Sequence, residues 1–98
     1  VGVKLISSEI PESFALQQNY PNPFNPVTKI NYELRVTNYV TLTVFDILGN
    51  EINKLVNAKQ TAGSYEVNFD GKGLSSGIYF YKFSAGGFTS TKLMTLIK

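Results

Sequence analysis

Cysteine, histidine and tryptophan are all absent from these 98 residues. Without cysteine there is no disulfide and no thiolate chemistry. Without histidine the chain lacks the commonest general base at neutral pH and the commonest transition-metal ligand. Charge is scarce too, at 16% of residues against about 25% in an average domain. The net charge of +2 is small, and the basic side chains do not cluster, which argues against a nucleic-acid surface. The longest wholly apolar run, from Ile78 to Tyr81, is far too short to span a bilayer. What is present suffices for one domain with a modest core, since a chain of this length buries roughly 60–65% of its unfolded surface. It opens on Val1 with no leader pattern, so it reads as a piece of a longer protein.

The chain is rich in β character. Gly77-Ile78-Tyr79-Phe80-Tyr81-Lys82-Phe83 is its most apolar stretch. Side chains alternate across a strand, so Ile78 and Phe80 share one face while Tyr79, Tyr81 and Phe83 share the other. Neither face suits water, which places this strand inside a sheet. Residues 28–34 alternate with Ile30, Tyr32 and Leu34 inward, and residues 40–46 with Val40, Leu42 and Val44 inward. Gly49 supplies the positive φ of the hairpin turn that follows. Residues 51–58 read as a strand with a local irregularity, and 64–69 as a strand with Tyr65, Val67 and Phe69 inward. Leu74 plugs the loop after it. Ala85-Gly86-Gly87 turns the chain into a long last strand whose apolar residues occupy both parities, which suggests a bulge.

Two segments are less regular. Residues 1–13 read as a linker or entry arm of mixed polarity that allows a short strand at 3–6; the domain itself covers 14–98. Pro21, Pro23 and Pro26 fall close together in Asn-Tyr-Pro-Asn-Pro-Phe-Asn-Pro. They exclude a helix or a central strand and predict a stiff extended arm, with asparagines bonding to nearby backbone and with Tyr20 and Phe24 as aromatic plugs. The count is about seven short strands and no helix. The fold class is therefore all-β, an immunoglobulin-like antiparallel β-sandwich, without the Cys-Trp-Cys pattern of antibody domains.

Catalytic constellations do not emerge. The seven carboxylates fall mostly on outward strand positions or in turns, and a serine nucleophile would have only lysine for a base. Asp70 is expected to shape its own turn rather than hold a metal, and Gly71 and Gly73 do not open a helix as a phosphate loop does. No cofactor is indicated and the chain reads as a non-enzyme. Tyr79 and Tyr81 admit two readings, a core face or an aromatic platform for stacking a sugar.

NYPNPFNP (19–26), TKINYEL (28–34), VTLTVFDILGNEI (40–52), AGSYEVNFDGKGLSSGIYFYKF (62–83) and TKLMTLIK (91–98), in this order, resemble the type A C-terminal sorting domain of the type IX secretion system. The likeness runs from about Phe14 to Lys98. The immunoglobulin-like module of the flagellar hook-capping protein is related. The resemblance implies a targeting domain at the end of larger secreted proteins of Bacteroidetes. After export to the periplasm it is recognised by an outer-membrane translocon and cleaved by a sortase, leaving the cargo secreted or at the cell surface. Carried over by position, recognition falls on Gly86, Gly87, Thr91, Lys92, Leu93, Met94, Thr95, Leu96, Ile97 and Lys98, and cleavage within residues 1–13 or upstream. Three departures stand out: Arg35 where proline is common, Leu93 where a second lysine is common, and Phe45 for tyrosine. A terminal edge strand could be read by strand addition, with Lys92 and Lys98 guarding it; the same edge would allow a dimer. The alternatives are a carbohydrate-binding module or a passive spacer of a secreted enzyme.

Overall fold

A computed structural model describes residues 3–98; Val1 and Gly2, the start of the expected entry arm, lie outside the described residues. Eight strands follow one another: β1 (Val3–Ser7), β2 (Ala15–Leu16), β3 (Val27–Leu34), β4 (Asn38–Phe45), β5 (Glu51–Gln60), β6 (Gly63–Asp70), β7 (Gly77–Ala85) and β8 (Phe88–Leu96). They form two four-stranded sheets, β1-β6-β3-β2 and β5-β4-β7-β8, with antiparallel pairing throughout. In the lettering of immunoglobulin domains, β2-β3-β6 occupy the places of A-B-E and β4-β7-β8 those of C-F-G, with β5 beside C. The short strand allowed at 3–6 is β1, which extends to Ser7 and takes the outer place beside β6.

Strict alternation creates the core. Ile30, Tyr32 and Leu34 on β3, and Tyr65, Val67 and Phe69 on β6, face Val40, Leu42 and Val44 on β4 and Tyr79, Tyr81 and Phe83 on β7; all are buried. A period of two leaves no other register that buries the same set, because a slip by one residue would turn every one of them to water. Aromatic rings join the sheets. Tyr32 stacks on Tyr65 at 5.3 Å and meets Phe83 at 4.8 Å. The hydroxyls in this layer all find partners, as buried polar groups must. Tyr65 and Tyr79 each donate to the carbonyl four residues upstream, Thr61 and Ser75, at 2.6 Å; Tyr79, near the start of the strand in the place of F, does so as in the tyrosine corner of immunoglobulin folds. Tyr32 donates to Gln60 Oε1, and burial raises its phenol well above the ordinary range.

The irregular strand is β5, as expected. Its register against β4 skips Leu55 and Ile52. The first bulge lets Leu55 and Val56 both enter the core. The bulge expected in the last strand is absent: β8 holds unbroken register with β7. Its two apolar parities are instead two faces, with Met94 and Leu96 buried and Leu93 and Ile97 exposed. The turn after β4 is set by Asp46, whose Oδ1 accepts the Leu48 and Asn50 amides at 2.9 Å. These bonds, the Asn50 amide first, hold its carboxyl below the usual range. Gly49 has φ +85° there, a value that favours glycine.

The two faces of β7 separate in energy. Phe83→Ala empties a fully enclosed site and is expected to cost about 3–5 kcal/mol. Phe80→Ala, on the half-buried outer face, should cost less than about 1.5 kcal/mol. Urea unfolding checks both, with an unchanged slope and a shifted midpoint.

Candidate functional site

The β7–β8 hairpin presents the residues singled out for recognition. Ala85 pairs with Phe88, so Gly86 and Gly87 are the two central residues of the turn. Gly86 has φ +57°, and a Cβ on it would stand 2.5 Å from Asn38 Nδ2. Gly87 has open space around it. The turn's demand for glycine therefore rests on Gly86, the first central position.

Along β8 the register assigns every side chain. Met94 and Leu96 point inward, opposite Tyr79 and Gly77, and are fully buried. Lys92 shares that parity and is half-buried at the sheet edge; an inward-pointing charge is one way sheets discourage edge pairing. Thr91 and Leu93 are exposed on the outer face, and Thr95 is half-buried there. Ile97 and Lys98 follow the strand and are exposed. The Lys98 amide donates to Ser76 Oγ at 2.9 Å, which ties the chain end to the loop before β7. Among the ten residues, Met94 and Leu96 thus serve the core, and the remainder are partly or fully accessible.

The proline-rich segment completes this strand. The peptide bonds before Pro21, Pro23 and Pro26 are all cis. Tyr20 exchanges both backbone bonds with Lys29 of β3, at 2.9 and 3.0 Å. Four residues later Phe24 exchanges bonds with the other sheet: its N–H donates to the Thr95 carbonyl at 2.9 Å, and its carbonyl accepts the Ile97 amide at 3.0 Å. Asn22 Oδ1 accepts the Thr95 amide at 3.0 Å, and Gln18 Nε2 donates to the Leu93 carbonyl at 2.6 Å. The Phe24 ring is buried and meets Phe69 edge-on at 6.0 Å. Gly71 lies against it, where a Cβ would come within 3.3 Å of the Phe24 ring and 3.2 Å of Leu96. The arm therefore spans both sheets and occupies the outer edge of β8 from Leu93 to Ile97. Among the described residues, the outward backbone groups of Thr89 and Thr91 carry no such partner.

Tyr81 anchors the arm from beneath. Its hydroxyl accepts the Asn19 amide at 2.8 Å and donates to the Gln17 carbonyl at 2.8 Å. Buried Asn19 is satisfied in turn, with Nδ2 donating to Thr28 Oγ1 at 3.0 Å and to the Pro21 carbonyl at 3.1 Å. Tyr79 and Tyr81 are core side chains, with no ring face turned to solvent. Of the two expected plugs, Phe24 is one and Tyr20 is not; Tyr20 is 81% exposed. Pairing with Lys29, an outward position of β3, carries its ring to the outer face.

Other chemistry is sparse. Asp70 Oδ1 accepts the Lys72 amide at 2.9 Å, so it shapes its turn. Among the described residues no group of three or more acidic side chains could hold a metal. Sequence reasoning missed Gln18, Asn22 and their clasp on β8; the signal was the asparagines between the prolines, but their partners lie more than 70 residues away.

A family model described as secretion system C-terminal sorting domain matches residues 18–97. No curated protein matches the chain.

Two tests follow from the clasp. Phe24→Ala should raise exchange at the Thr95 and Ile97 amides about tenfold more than at Val44, because the arm then opens below the global free energy; hydrogen exchange read by NMR checks this. Tyr81→Phe leaves the Asn19 amide without an acceptor and should cost about 1–3 kcal/mol. Burial pushes the Tyr81 hydroxyl up to about 12. Its contribution is complete below the ordinary tyrosine value of about 10 and is lost as pH rises through the folded value. Denaturation midpoints between pH 10 and pH 12 should fall less steeply in the variant than in the wild type.

Proposed function

The chain belongs to the family of secretion-system C-terminal sorting domains, and we propose that its last strand is the element the export machinery reads. Membership makes it a type IX secretion sorting signal and implies export of its cargo across the outer membrane, to the cell surface or the medium. In this reading the domain is non-catalytic. An outer-membrane translocon recognises Gly86, Gly87 and residues 91–98, and a sortase then separates the cargo within residues 1–13 or upstream.

The observation that carries this reading is the state of the β8 edge. β8 ends its sheet, and its outer groups are engaged by the arm at Leu93, Thr95 and Ile97. A receptor strand can add at Thr89 and Thr91, where main-chain bonds supply affinity, while the arm holds the remainder in one geometry. On the cargo side, Ser8, Glu9 and Ile10 are exposed between β1 and β2, which supports access by a protease.

Fusing residues 1–98 to a periplasmic reporter tests the proposal. The reporter should leave the cell in a strain with a working type IX system and stay in the periplasm of a strain without one. Release that is independent of the system, or that persists without the domain, overturns it. The amino terminus of the released tail, read by mass spectrometry, locates the cut.

A further inference from the structure

The outer face of the β5-β4-β7-β8 sheet carries a continuous apolar row. Leu93 stands directly opposite Phe80, and Phe80 directly opposite Phe45. Directly opposed side chains lie about 5 Å apart, so the three form one strip across β8, β7 and β4. Ile78 lies two positions from Phe80 on the same face. Leu93 and Ile78 are 49% and 46% exposed, and Phe80 and Phe45 are each half-buried. The turn at the end of β4 adds Ile47 and Leu48, both exposed. Contiguous apolar strips of this kind on a small domain mark contact surfaces.

The next row on the same face is basic. Lys82 and Lys54 flank Thr43 from β7 and β5, and Lys59 stands opposite Tyr39 further along. Glu51, opposite Phe45, is the one acid on these strand positions. Neither Lys54, Lys59 nor Lys82 takes part in a salt bridge among the described residues. A second copy of the chain placed face to face would set this lysine row against its own charge, which costs affinity. An acidic rim around an apolar centre complements it.

We propose that this face, centred on Leu93, Phe80, Phe45 and Ile78 and bordered by Lys54 and Lys82, is the docking surface for a protein of the export machinery that presents an apolar centre with an acidic border. The inference rests on the reading of the domain as an export signal. It adds that the terminal strand is read through its outer face, in register with β7 and β4, and not through its own sequence alone.

The experiment uses the reporter fusion of residues 1–98 in a strain with a working type IX system. Ile78→Asp and Phe80→Asp should each lower the exported fraction about tenfold, the effect of losing a central contact. The double charge reversal Lys54→Glu with Lys82→Glu should lower it severalfold, and Asn68→Asp, on the outer face of the other sheet, should leave it unchanged. Urea midpoints of the purified domains confirm folding. If Phe80→Asp does not fold, Ile78→Asp carries the test, since its side chain is already nearly half in water. Export of both aspartate variants at the wild-type level overturns the inference, as does equal impairment by Asn68→Asp. Sedimentation of the wild-type domain with phosphatidylglycerol vesicles, abolished by the lysine reversals, reassigns the face to an anionic lipid surface and overturns the protein-partner assignment. Failure of the wild-type fusion to be exported is a separate result, which overturns the export-signal reading itself.

Discussion

One phenolic oxygen ties the molecule together. The Tyr81 side chain is fully buried, and its hydroxyl accepts the Asn19 amide while donating to the Gln17 carbonyl. A buried amide without a partner is costly, so the Tyr81 hydroxyl fixes where the arm begins. From there Tyr20 pairs with one sheet and Phe24 with the other. The side of the sandwich where β2 and β8 approach each other is thereby closed by backbone hydrogen bonds rather than by side-chain packing alone. Proline makes the arm suitable for this work, since it cannot extend a sheet beyond the contacts it already makes.

This closure gives β8 three distinct surfaces. Its inner face contributes Met94 and Leu96 to the core. Its edge is occupied by the arm at one end and open at Thr89 and Thr91 at the other. Its outer face continues the Phe80 and Phe45 row through Leu93. A strand whose inner face is committed to packing can be read only through the other two, and both depend on β7 holding it in register. The opposite edge strand, β5, is protected differently: two bulges interrupt its ladder and discourage further pairing.

The sequence was most legible where one face of a strand is buried and the other wet. The parity of β3, β4, β6 and β7 follows directly from alternation, as does the glycine at position 49. The sites of difficulty share one cause, which is pairing across long sequence separation. Tyr20 and Phe24 look equivalent between their prolines, but Lys29 and Thr95 decide which ring turns inward. The apolar residues of β8 looked like a broken alternation because two apolar surfaces, one buried in the core and one exposed on the outer face, were superimposed on one strand. β1 was ambiguous because Val3 and Leu5 stay exposed even when paired, and Ile6, which the register skips, is exposed as well, so hydrophobicity does not mark the strand. The assignment of the fold to an export role came from the ordered motifs, whereas the arm's clasp on the terminal strand became visible only in three dimensions.

The strand order also sets a schedule. The arm is synthesised early, but its partners at Thr95 and Ile97 emerge last, and the core lacks Met94 and Leu96 until then. Domains fold as units once their long-range partners are present. A domain without β8 therefore holds an unclasped arm, a bare β7 edge and an unfilled core. The outer row through Leu93 exists only after β8 has docked, so its presence distinguishes the folded domain from an unfolded one. The strip is therefore a property of the folded sheet, assembled from three strands and present in no single segment of the sequence.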